Sequence, residues 1–374
     1  MNGASNIPPA PLLTGGLRRK TRRLLKVPKV PKAVNWPKGS IVYICGVTKT
    51  AFSPSDKDLG GSEQAVVKLS EEWAKEGRLV VVYGSVRECK HAGVEYRSIY
   101  RLNLGVMFDC AIFWRSFGIR LLPLIQARVR LIDLHDSWDP RSYVAPTQII
   151  DLADKVMVKS EYHKSLYPWL PSSKMKVVMN GIQVDLFKTD SEARDPHRII
   201  YASYYNRGLE PLLKYTWPKI KAAIPDATFD IYYGMNGLSK DLVSNLTELF
   251  KQPGVTEHGR VSLQQIAKEK SNSAMHLYIS NSETEIDCIS IRESLLSGAV
   301  PVIGNDYVFK ERDGIHITGS TDNATTYRKA ASTVIKLLKD QTTLTSLREE
   351  FKKSPTIVSW ASVAKEWRKI IDRA

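Results

Sequence analysis

The stretch MHLYISNSETEIDCISIRESLLSGAVPVI, residues 275–303, joins two short apolar runs through a polar loop and a helical segment. Its first run, residues 275–279, and its last run, residues 300–303, have the length and composition of strands buried in a parallel sheet. Between them, residues 289–297 are predicted to form a helix that ends at Gly298. The order of strand, loop, helix and strand indicates one unit of a doubly wound α/β sheet.

The same alternation of strand and helix patterns extends over most of the 374 residues. Apolar runs of strand length occur at residues 41–44, 79–83, 109–114, 130–134, 155–158 and 176–179, and then at 199–202, 229–233, 275–279 and 300–303. A polar stretch that contains Pro196, residues 188–197, separates the two series and indicates a linker. We therefore predict an α/β fold of two Rossmann-like domains, residues 39–190 and residues 197–357, that face a central ligand-binding cleft.

The positive charge of the chain is concentrated at its start. The net charge is +15, and residues 1–38 contain nine basic residues and no Asp or Glu, which leaves +6 for the rest. Because Pro28, Pro31 and Pro37 resist regular structure, we interpret this segment as a basic, flexible arm. Such an arm is either simply solvated or attracted to an anionic membrane through residues 17–38, with nucleic acid as the less favoured partner.

Several classes of protein lack their sequence signals here. No apolar run approaches the roughly 18–20 residues that span a bilayer, and prolines interrupt the start, where a signal peptide would have its apolar core. We therefore predict a cytoplasmic protein, with peripheral contact to a membrane left open. The four cysteines are scattered without a CxxC pair, which argues against a zinc site and against a disulfide framework. The glycine motifs of dehydrogenases, P-loop enzymes and serine hydrolases do not occur.

Two acidic residues of the opening stretch are candidates for ligand binding. Glu285 belongs to the loop after the first strand, and Glu293 belongs to the early part of the helix. A carboxylate such as Glu293 can accept hydrogen bonds from both hydroxyls of a ribose, and Glu285 can hold hydroxyls of a sugar. The helix N-terminus, near Ile289 and Ser290, offers free N–H groups that suit an anionic diphosphate.

The spacing Glu285-x7-Glu293, followed by residues 298–302, resembles the donor-site signature of family 4-type glycosyltransferases, which have the two-domain GT-B fold. Further segments that resemble this family lie at residues 59–63, 180–187, 206–209 and 259–261. The resemblance implies a retaining glycosyltransferase that moves a sugar from a nucleoside diphosphate sugar to a hydroxyl of a glycan or glycolipid. It also implies that the last segment, residues 358–374, forms a helix that crosses back to the first domain.

The resemblance assigns donor-binding roles to residues of both domains. Gly60 and Gly61 form the first glycine-rich loop, where bare backbone can approach a ligand closely. Arg207 lies in the turn that opens the second domain, and its guanidinium can bind two phosphate oxygens at once. Gly259 and Arg260 correspond to the loop beside the nucleobase.

Three residues are predicted to act on the transfer step itself. His135 ends the run at residues 130–134, so it should point into the cleft near the transferred sugar and the acceptor, in a positioning or electrostatic role. Arg207 should neutralise the leaving diphosphate, and Glu285 should fix the sugar. The family commonly has a second basic residue several positions before Arg207. This sequence has Ala202 and Ser203 there, so we expect Arg207 and the helix dipole to carry more of the charge.

No cofactor is predicted beyond the donor substrate. The DxD pattern at residues 56–58 binds a metal in a different glycosyltransferase fold, but Lys57 between its two acids would oppose a cation. We therefore expect transfer without a metal. Two alternatives stay open: a GT-B protein that binds a sugar nucleotide or glycan without turnover, and a transferase that acts on nucleic acid.

Overall fold

The computed structural model describes residues 34–56, 59–137, 147–188, 194–280 and 282–372. Some sequence predictions fall outside these described residues. They are the basic arm up to residue 33, both Lys57 and Asp58 of the DxD pattern, and residues 189–193 of the linker. No helix among the described residues is long and apolar enough to cross a membrane.

The first sheet contains nine strands in the order β4-β5-β3-β2-β6-β7-β8-β9, with β1 paired to β6. All pairings are parallel except the β4–β5 hairpin. The strands are β1 (Val34–Asn35), β2 (Ile41–Gly46), β3 (Val80–Gly84), β4 (Cys89–His91), β5 (Val94–Ser98), β6 (Val106–Trp114), β7 (Gln126–Asp133), β8 (Lys155–Val158) and β9 (Met175–Val177). Because helices cover both faces, β2 and β3 are buried along their whole length, which explains their continuous apolar sequence.

The helices of this first domain are α1 (Gly61–Lys75), α2 (Arg115–Ile119), α3 (Thr147–Asp151), α4 (Glu161–Ser165) and α5 (Val184–Phe187). Single 3-10 turns occur at Ile99–Arg101, Leu122–Leu124 and Ser172–Lys174. The longest helix, α1, buries Val66, Val67, Leu69 and Trp73 against the sheet, which is the spacing that the sequence predicts for one apolar helix face.

The second sheet contains six parallel strands in the order β12-β11-β10-β13-β14-β15. They are β10 (Asp195–Ala202), β11 (Thr228–Tyr232), β12 (Val255–Glu257), β13 (Ser273–Tyr278), β14 (Val300–Gly304) and β15 (Ile315–Ile317). The chain adds strands outward from β10 on one side and then, from β13, on the other. The order of the sheet therefore reverses between β10 and β13, as in a Rossmann fold.

The helices of the second domain connect these strands. They are α6 (Leu209–Pro211), α7 (Trp217–Ala223), α8 (Lys240–Leu249), α9 (Leu263–Asn272), α10 (Ile289–Ser297), α11 (Ala324–Lys339) and α12 (Gln341–Phe351). A π-helical turn, Leu212–Thr216, joins α6 to α7, and a 3-10 turn lies at Tyr307–Glu311.

The last helix, α13 (Trp360–Ile371), returns to the first domain. The Trp73 indole donates to the Ala364 carbonyl at 3.4 Å, and the Trp73 and Trp367 rings pack edge to face with centroids 5.9 Å apart. Gly181 makes the crossing possible, because a Cβ there would lie 2.6 Å from Trp360. The predicted fold class, including the crossing helix, is confirmed.

Three details differ from the sequence prediction. The strand β1, Val34–Asn35, pairs with β6 although it lies before residue 39, where the sequence predicts the first domain to begin. The hairpin of β4 and β5 was missed because β4 is a short strand open to solvent and β5 buries only two apolar residues, Val94 and Tyr96. The strands β12 and β15, of three residues each, are also too short to show a pattern.

Candidate functional site

Two cavities open where the order of the second sheet reverses, beyond the carboxyl ends of β10 and β13. Doubly wound sheets bind ligands at such points. The small cavity measures about 180 Å³ and the large cavity about 600 Å³. Residues that line both are Gly60, Gly61, Ala202, Tyr233, Ile289 and Ser290. The two cavities are therefore adjacent along this wall.

The small cavity has apolar walls with a carboxylate on one side. Val261, Leu263 and Ile266 supply apolar surface, and Glu293 supplies the carboxylate. The Arg260 guanidinium lies over the Tyr233 ring, 4.8 Å from its centroid, and both side chains line the cavity. A flat ring attached to a second group that carries a vicinal diol matches these surfaces, since the ring can stack and the diol can donate to the carboxylate.

Glu293 is paired with a lysine that the sequence prediction missed. The Lys270 Nζ donates to Glu293 Oε2 at 2.7 Å, to the Ser290 carbonyl at 2.7 Å and to Ser290 Oγ at 3.0 Å. Lys270 is fully buried, and burial lowers its pKa although Glu293 opposes the shift. The lysine therefore holds Glu293 and the first turn of α10 in one position.

A helix pattern could have identified this lysine. Leu263, Ile266, Ala267 and Lys270 recur at the spacing of one helix face, and this face of α9 is turned toward the protein interior. A lysine on an apolar face needs a buried partner. Lys268, two residues earlier, is exposed and lies off that face.

The large cavity contains an ion pair between two predicted residues. Arg207 Nη1 lies 2.5 Å from Glu285 Oε2, and the Tyr278 hydroxyl donates to the same oxygen at 3.0 Å. The Cys288 N–H donates to Glu285 Oε1 at 3.1 Å. Burial alone would lower the pKa of Arg207, but Glu285 and Tyr278 outweigh burial and raise it. Arg207 is therefore a cation that is held in place beyond the carboxyl ends of β10 and β13.

The turn that carries Arg207 requires a glycine. Gly208 has a φ of 94°, and a Cβ there would lie 2.2 Å from the Ile279 carbonyl oxygen. Only a residue without a side chain can approach β13 so closely in this conformation. Gly208 thus places Arg207 across from Glu285.

The N-terminus of α10 points toward the same region. Cys288 precedes the helix in a left-handed conformation, with φ 57° and ψ 61°. The Ser290 hydroxyl donates to the Ala202 carbonyl at 2.8 Å, which ties α10 to the end of β10. The first N–H groups of a helix have no partner within it, so this turn presents donors and a positive dipole end beside Ile289 and Ser290.

Asp287 forms a buried network beneath the loop of Glu285. Arg292 Nη2 donates to both of its carboxylate oxygens at 2.9 Å, and Arg312 Nη2 donates to one of them at 3.1 Å. The Asn180 N–H, in the segment that closes the first domain, donates at 3.1 Å. Arg292 also donates to the Asn180 carbonyl at 2.6 Å. These contacts fix the Glu285 loop to the connection between the domains.

His135 lies at the end of β7 and lines the large cavity, as predicted from its position. Its Nε2 is 3.0 Å from Asp133 Oδ2, and Asp133 also accepts from Tyr43 and from the buried Lys159. Burial would raise the pKa of Asp133, but His135 and Lys159 outweigh burial and hold it below its usual range. Burial lowers the pKa of His135, which favours the neutral ring although Asp133 opposes the shift. In the neutral form Nε2 donates to Asp133 and the other ring nitrogen can accept a hydrogen bond.

The first domain also supplies a cation that the sequence prediction missed. Arg115 follows β6 and has a φ of 52°, which is strained for a residue with a side chain. Its guanidinium bonds Asp136 through Nε at 2.9 Å and Nη2 at 2.6 Å. Both side chains line the large cavity.

Of the three predicted glycines, Gly60 and Gly61 line the cavities and Gly259 does not. Gly60 precedes α1 and Gly61 begins it, and a Cβ on Gly61 would lie 3.4 Å from Ile289 Cδ1 of the second domain. Gly259 is not among the residues that line either cavity. Its carbonyl accepts from the Tyr233 N–H at 2.9 Å, so it supports the turn beside Arg260.

Within the part of the chain that the structure describes, no group of three or more His, Cys, Asp or Glu residues is placed to hold a metal ion. Asp56 of the DxD pattern is paired with Arg87 and accepts from the Ser53 N–H at 2.8 Å. Its carboxylate is therefore engaged in structural contacts.

Several solved structures have the same arrangement of two sheets, and two of the three described next contain a bound nucleotide. The chain is similar to Anabaena HepE in complex with UDP and glucose, with a TM-score of 0.64 at 13% identity over 90% of this chain and 100% of that one. It is similar to sucrose-phosphate synthase from Thermosynechococcus elongatus, with a TM-score of 0.67 at 14% identity over 89% and 98% of the two chains. It is also similar to the catalytic domain of starch synthase IV from Arabidopsis thaliana, bound to ADP and acarbose. The TM-score is 0.64 at 12% identity, over 90% of this chain and 99% of that one.

These similarities show a shared fold. The two facing domains and the crossing helix are the GT-B fold. No protein-family model and no curated protein sequence matches the chain.

Proposed function

We propose that the protein is a retaining glycosyltransferase of the family 4 type, which moves a hexose from a nucleoside diphosphate sugar to a hydroxyl of a glycan or glycolipid. The observation that carries this proposal is the Arg207–Glu285 pair, 2.5 Å apart, beside the N-terminus of α10 at the switch point of the second sheet. The GT-B fold supports it, as do neighbours such as HepE, which is bound to UDP and glucose.

The donor nucleotide occupies the small cavity in this proposal. Its base stacks near Tyr233 and Arg260, and its ribose hydroxyls donate to Glu293. Lys270 holds one oxygen of Glu293 but leaves the other free for the ribose. The diphosphate then extends along the wall shared by both cavities and reaches Ile289 and Ser290.

The sugar occupies the large cavity, where the transfer takes place. The bond from the anomeric carbon to the diphosphate oxygen breaks, and its electron pair stays on the diphosphate. A bond forms to the acceptor oxygen on the same face, and the hydroxyl proton leaves with the diphosphate. Arg207 and the helix N-terminus neutralise the departing charge, so no metal is required.

His135 and Glu285 position the sugar during this step. His135 is anchored to Asp133, and in the neutral form that burial favours it can accept a hydrogen bond from a sugar or acceptor hydroxyl without adding a charge. Glu285 is held by three donors, which fixes its carboxylate before the substrate arrives. A cytoplasmic location, with contact to a membrane through residues 17–38, belongs to the same proposal.

The experiment uses the full chain with UDP- and GDP-linked sugars. A thermal-shift screen identifies the nucleotide that raises the melting temperature. NMR then follows release of the nucleoside diphosphate and the configuration of the product, with and without EDTA. We expect a donor whose anomeric bond is axial to give a product whose new glycosidic bond is also axial. EDTA should change neither the amount of product nor its configuration. Binding without any product would favour the alternative of a non-catalytic protein, and an inverted product would contradict retention.

A further inference from the structure

A third cavity, of about 660 Å³, lies next to the large cavity and is lined mainly by the first domain, with Tyr233 and Arg260 from the second. Gly60, Glu63, Arg115 and Tyr233 line both of them. Because the two cavities share these wall residues, a molecule in the third cavity would lie next to the proposed site of sugar transfer. The proposed function leaves the occupant of this third cavity unassigned.

The walls of the third cavity carry an excess of positive charge. In the part of the chain that the structure describes, four basic side chains and two acidic ones line it: Lys49, Arg87, Arg115, Arg260, Asp56 and Glu63. Arg87 pairs with Asp56 but is 58% exposed, so its guanidinium remains open to further partners. Among the residues that the structure describes, neither Lys49 nor Arg260 has a carboxylate partner. An anion is therefore the ligand that this surface favours.

Arg115 is oriented before any ligand arrives. Its Nε and Nη2 bond Asp136, and its guanidinium lies over the rings of Trp114 and Phe117, 5.2 Å and 5.8 Å from their centroids. No contact in the described chain engages Nη1. The strained backbone, with a φ of 52°, persists because these contacts hold it, and such strain concentrates at functional sites.

The loop that carries Lys49 is fixed as well. Thr48 N–H donates to Ser85 Oγ at 3.0 Å, Phe52 N–H donates to the Ser85 carbonyl at 3.1 Å, and Arg87 N–H donates to the Phe52 carbonyl at 2.9 Å. These bonds hold the backbone segments of Lys49 and Arg87 together in one wall of the cavity. Both cations are therefore carried by backbone that is fixed before a ligand binds.

We propose that the third cavity binds the acceptor and that this acceptor carries a phosphate group on a sugar or a lipid. Lys49, Arg87 and Arg115 contact the phosphate, while the acceptor hydroxyl extends into the large cavity toward His135. Phosphate matches the site better than a single carboxylate, because its three oxygens can engage several cations at once. The inference rests on the proposed transferase function.

The test measures binding of glucose 6-phosphate to the full chain in the presence of saturating UDP, by titration calorimetry. Glucose and glucuronate are the uncharged and carboxylate controls. We expect glucose 6-phosphate to bind at least about five-fold more tightly than either control, since it adds charge-assisted contacts. Equal binding of the three sugars, or no binding of the phosphate, would overturn the inference.

Single substitutions test whether the phosphate binds in this cavity or is merely attracted by the net positive charge of the protein. Lys49→Gln and Arg87→Gln should each raise the Kd of glucose 6-phosphate by about five- to ten-fold, as expected for solvent-accessible charge-assisted contacts. Lys219→Gln removes the same charge from an exposed position on α7 and should leave that Kd unchanged. If all three variants have the same Kd for glucose 6-phosphate, the third cavity is not where the phosphate binds. UDP titration of the same samples tests the donor site separately, so a protein that binds UDP but ignores phosphate loses only this inference.

Discussion

Lys270 and Glu293 form a buried ion pair, with Nζ and Oε2 2.7 Å apart, at the wall of the small cavity. The lysine also bonds Ser290 in the first turn of α10. One side chain thus fixes the residue proposed to bind ribose and the turn proposed to bind diphosphate. Breaking a buried pair leaves an uncompensated charge, which is more costly than losing the attraction itself.

Removing only the lysine should therefore affect stability and binding together. Lys270→Met should lower the free energy of unfolding by about 3 kcal/mol, because Glu293 remains buried without its cation. The double variant Lys270→Met/Glu293→Gln should recover much of the lost unfolding free energy, because no charge is left buried. It should still bind UDP poorly. Urea unfolding and UDP titration check the two effects. Full UDP affinity in the double variant would show that neither residue serves the donor.

Arg207 should matter for catalysis far more than for folding. Arg207→Ala should lower kcat/KM by about 100-fold, which is typical for the loss of a group that neutralises charge in the transition state. Its pair with Glu285 is partly exposed, so the free energy of unfolding should change by about 1 kcal/mol or less. Steady-state kinetics compares this variant with Arg120→Ala, an exposed arginine with no contact to the cavities. Equal activity of the two variants would remove Arg207 from the mechanism.

The Asp287 network should control stability at the connection between the domains. Asp287→Asn leaves Arg292 and Arg312 buried without their carboxylate and should cost about 3–5 kcal/mol of unfolding free energy. The control Asp372→Asn breaks a partly exposed pair with Arg78 and should cost about 0.5 kcal/mol. Thermal unfolding distinguishes them. A similar shift for both variants would mean that the network contributes nothing beyond a surface pair.

Buried histidines should make the protein less stable as the pH falls below neutral. Burial lowers the pKa of His163 from 6.5 to about 4. Between these values the unfolded chain takes up a proton that the folded chain does not, so acid favours unfolding. His163 alone should contribute about 3 kcal/mol of this loss between pH 7 and pH 4.

The pKa values of His135 and His276 are also lowered by burial, so they act in the same direction. Urea unfolding of wild type and His163→Gln at pH 7 and pH 5 measures the effect. The variant should lose less stability on acidification than the wild type. An unchanged pH dependence would contradict a neutral, buried His163.

Much of the fold could be predicted because the strands of a covered parallel sheet are continuous apolar runs. β2, β3, β13 and β14 are buried throughout and were all predicted close to their observed bounds. The antiparallel edge strand β4 carries no such run, since one of its sides faces solvent.

Most residues of the candidate site could be proposed from the sequence because they follow a strand or lie near the start of a helix. His135, Arg207 and Glu285 have such positions, and the structure places all three around the large cavity. Lys270 and Asp133 were missed because a buried charge is recognised by its partner, which is distant in the sequence. The strain at Arg115 depends on backbone geometry and leaves no local sequence signal.

The central claim is that the adjacent small and large cavities, which residues of both domains line, bind a nucleoside diphosphate. Titration calorimetry with UDP and GDP tests it directly, using wild type, Glu293→Ala and Arg207→Ala. We predict one-to-one binding of one nucleotide by the wild type, weakened by at least about ten-fold in each variant, as expected for loss of a charge-assisted contact. Failure of the wild type to bind either nucleotide, or equal affinity in all three proteins, would contradict the account.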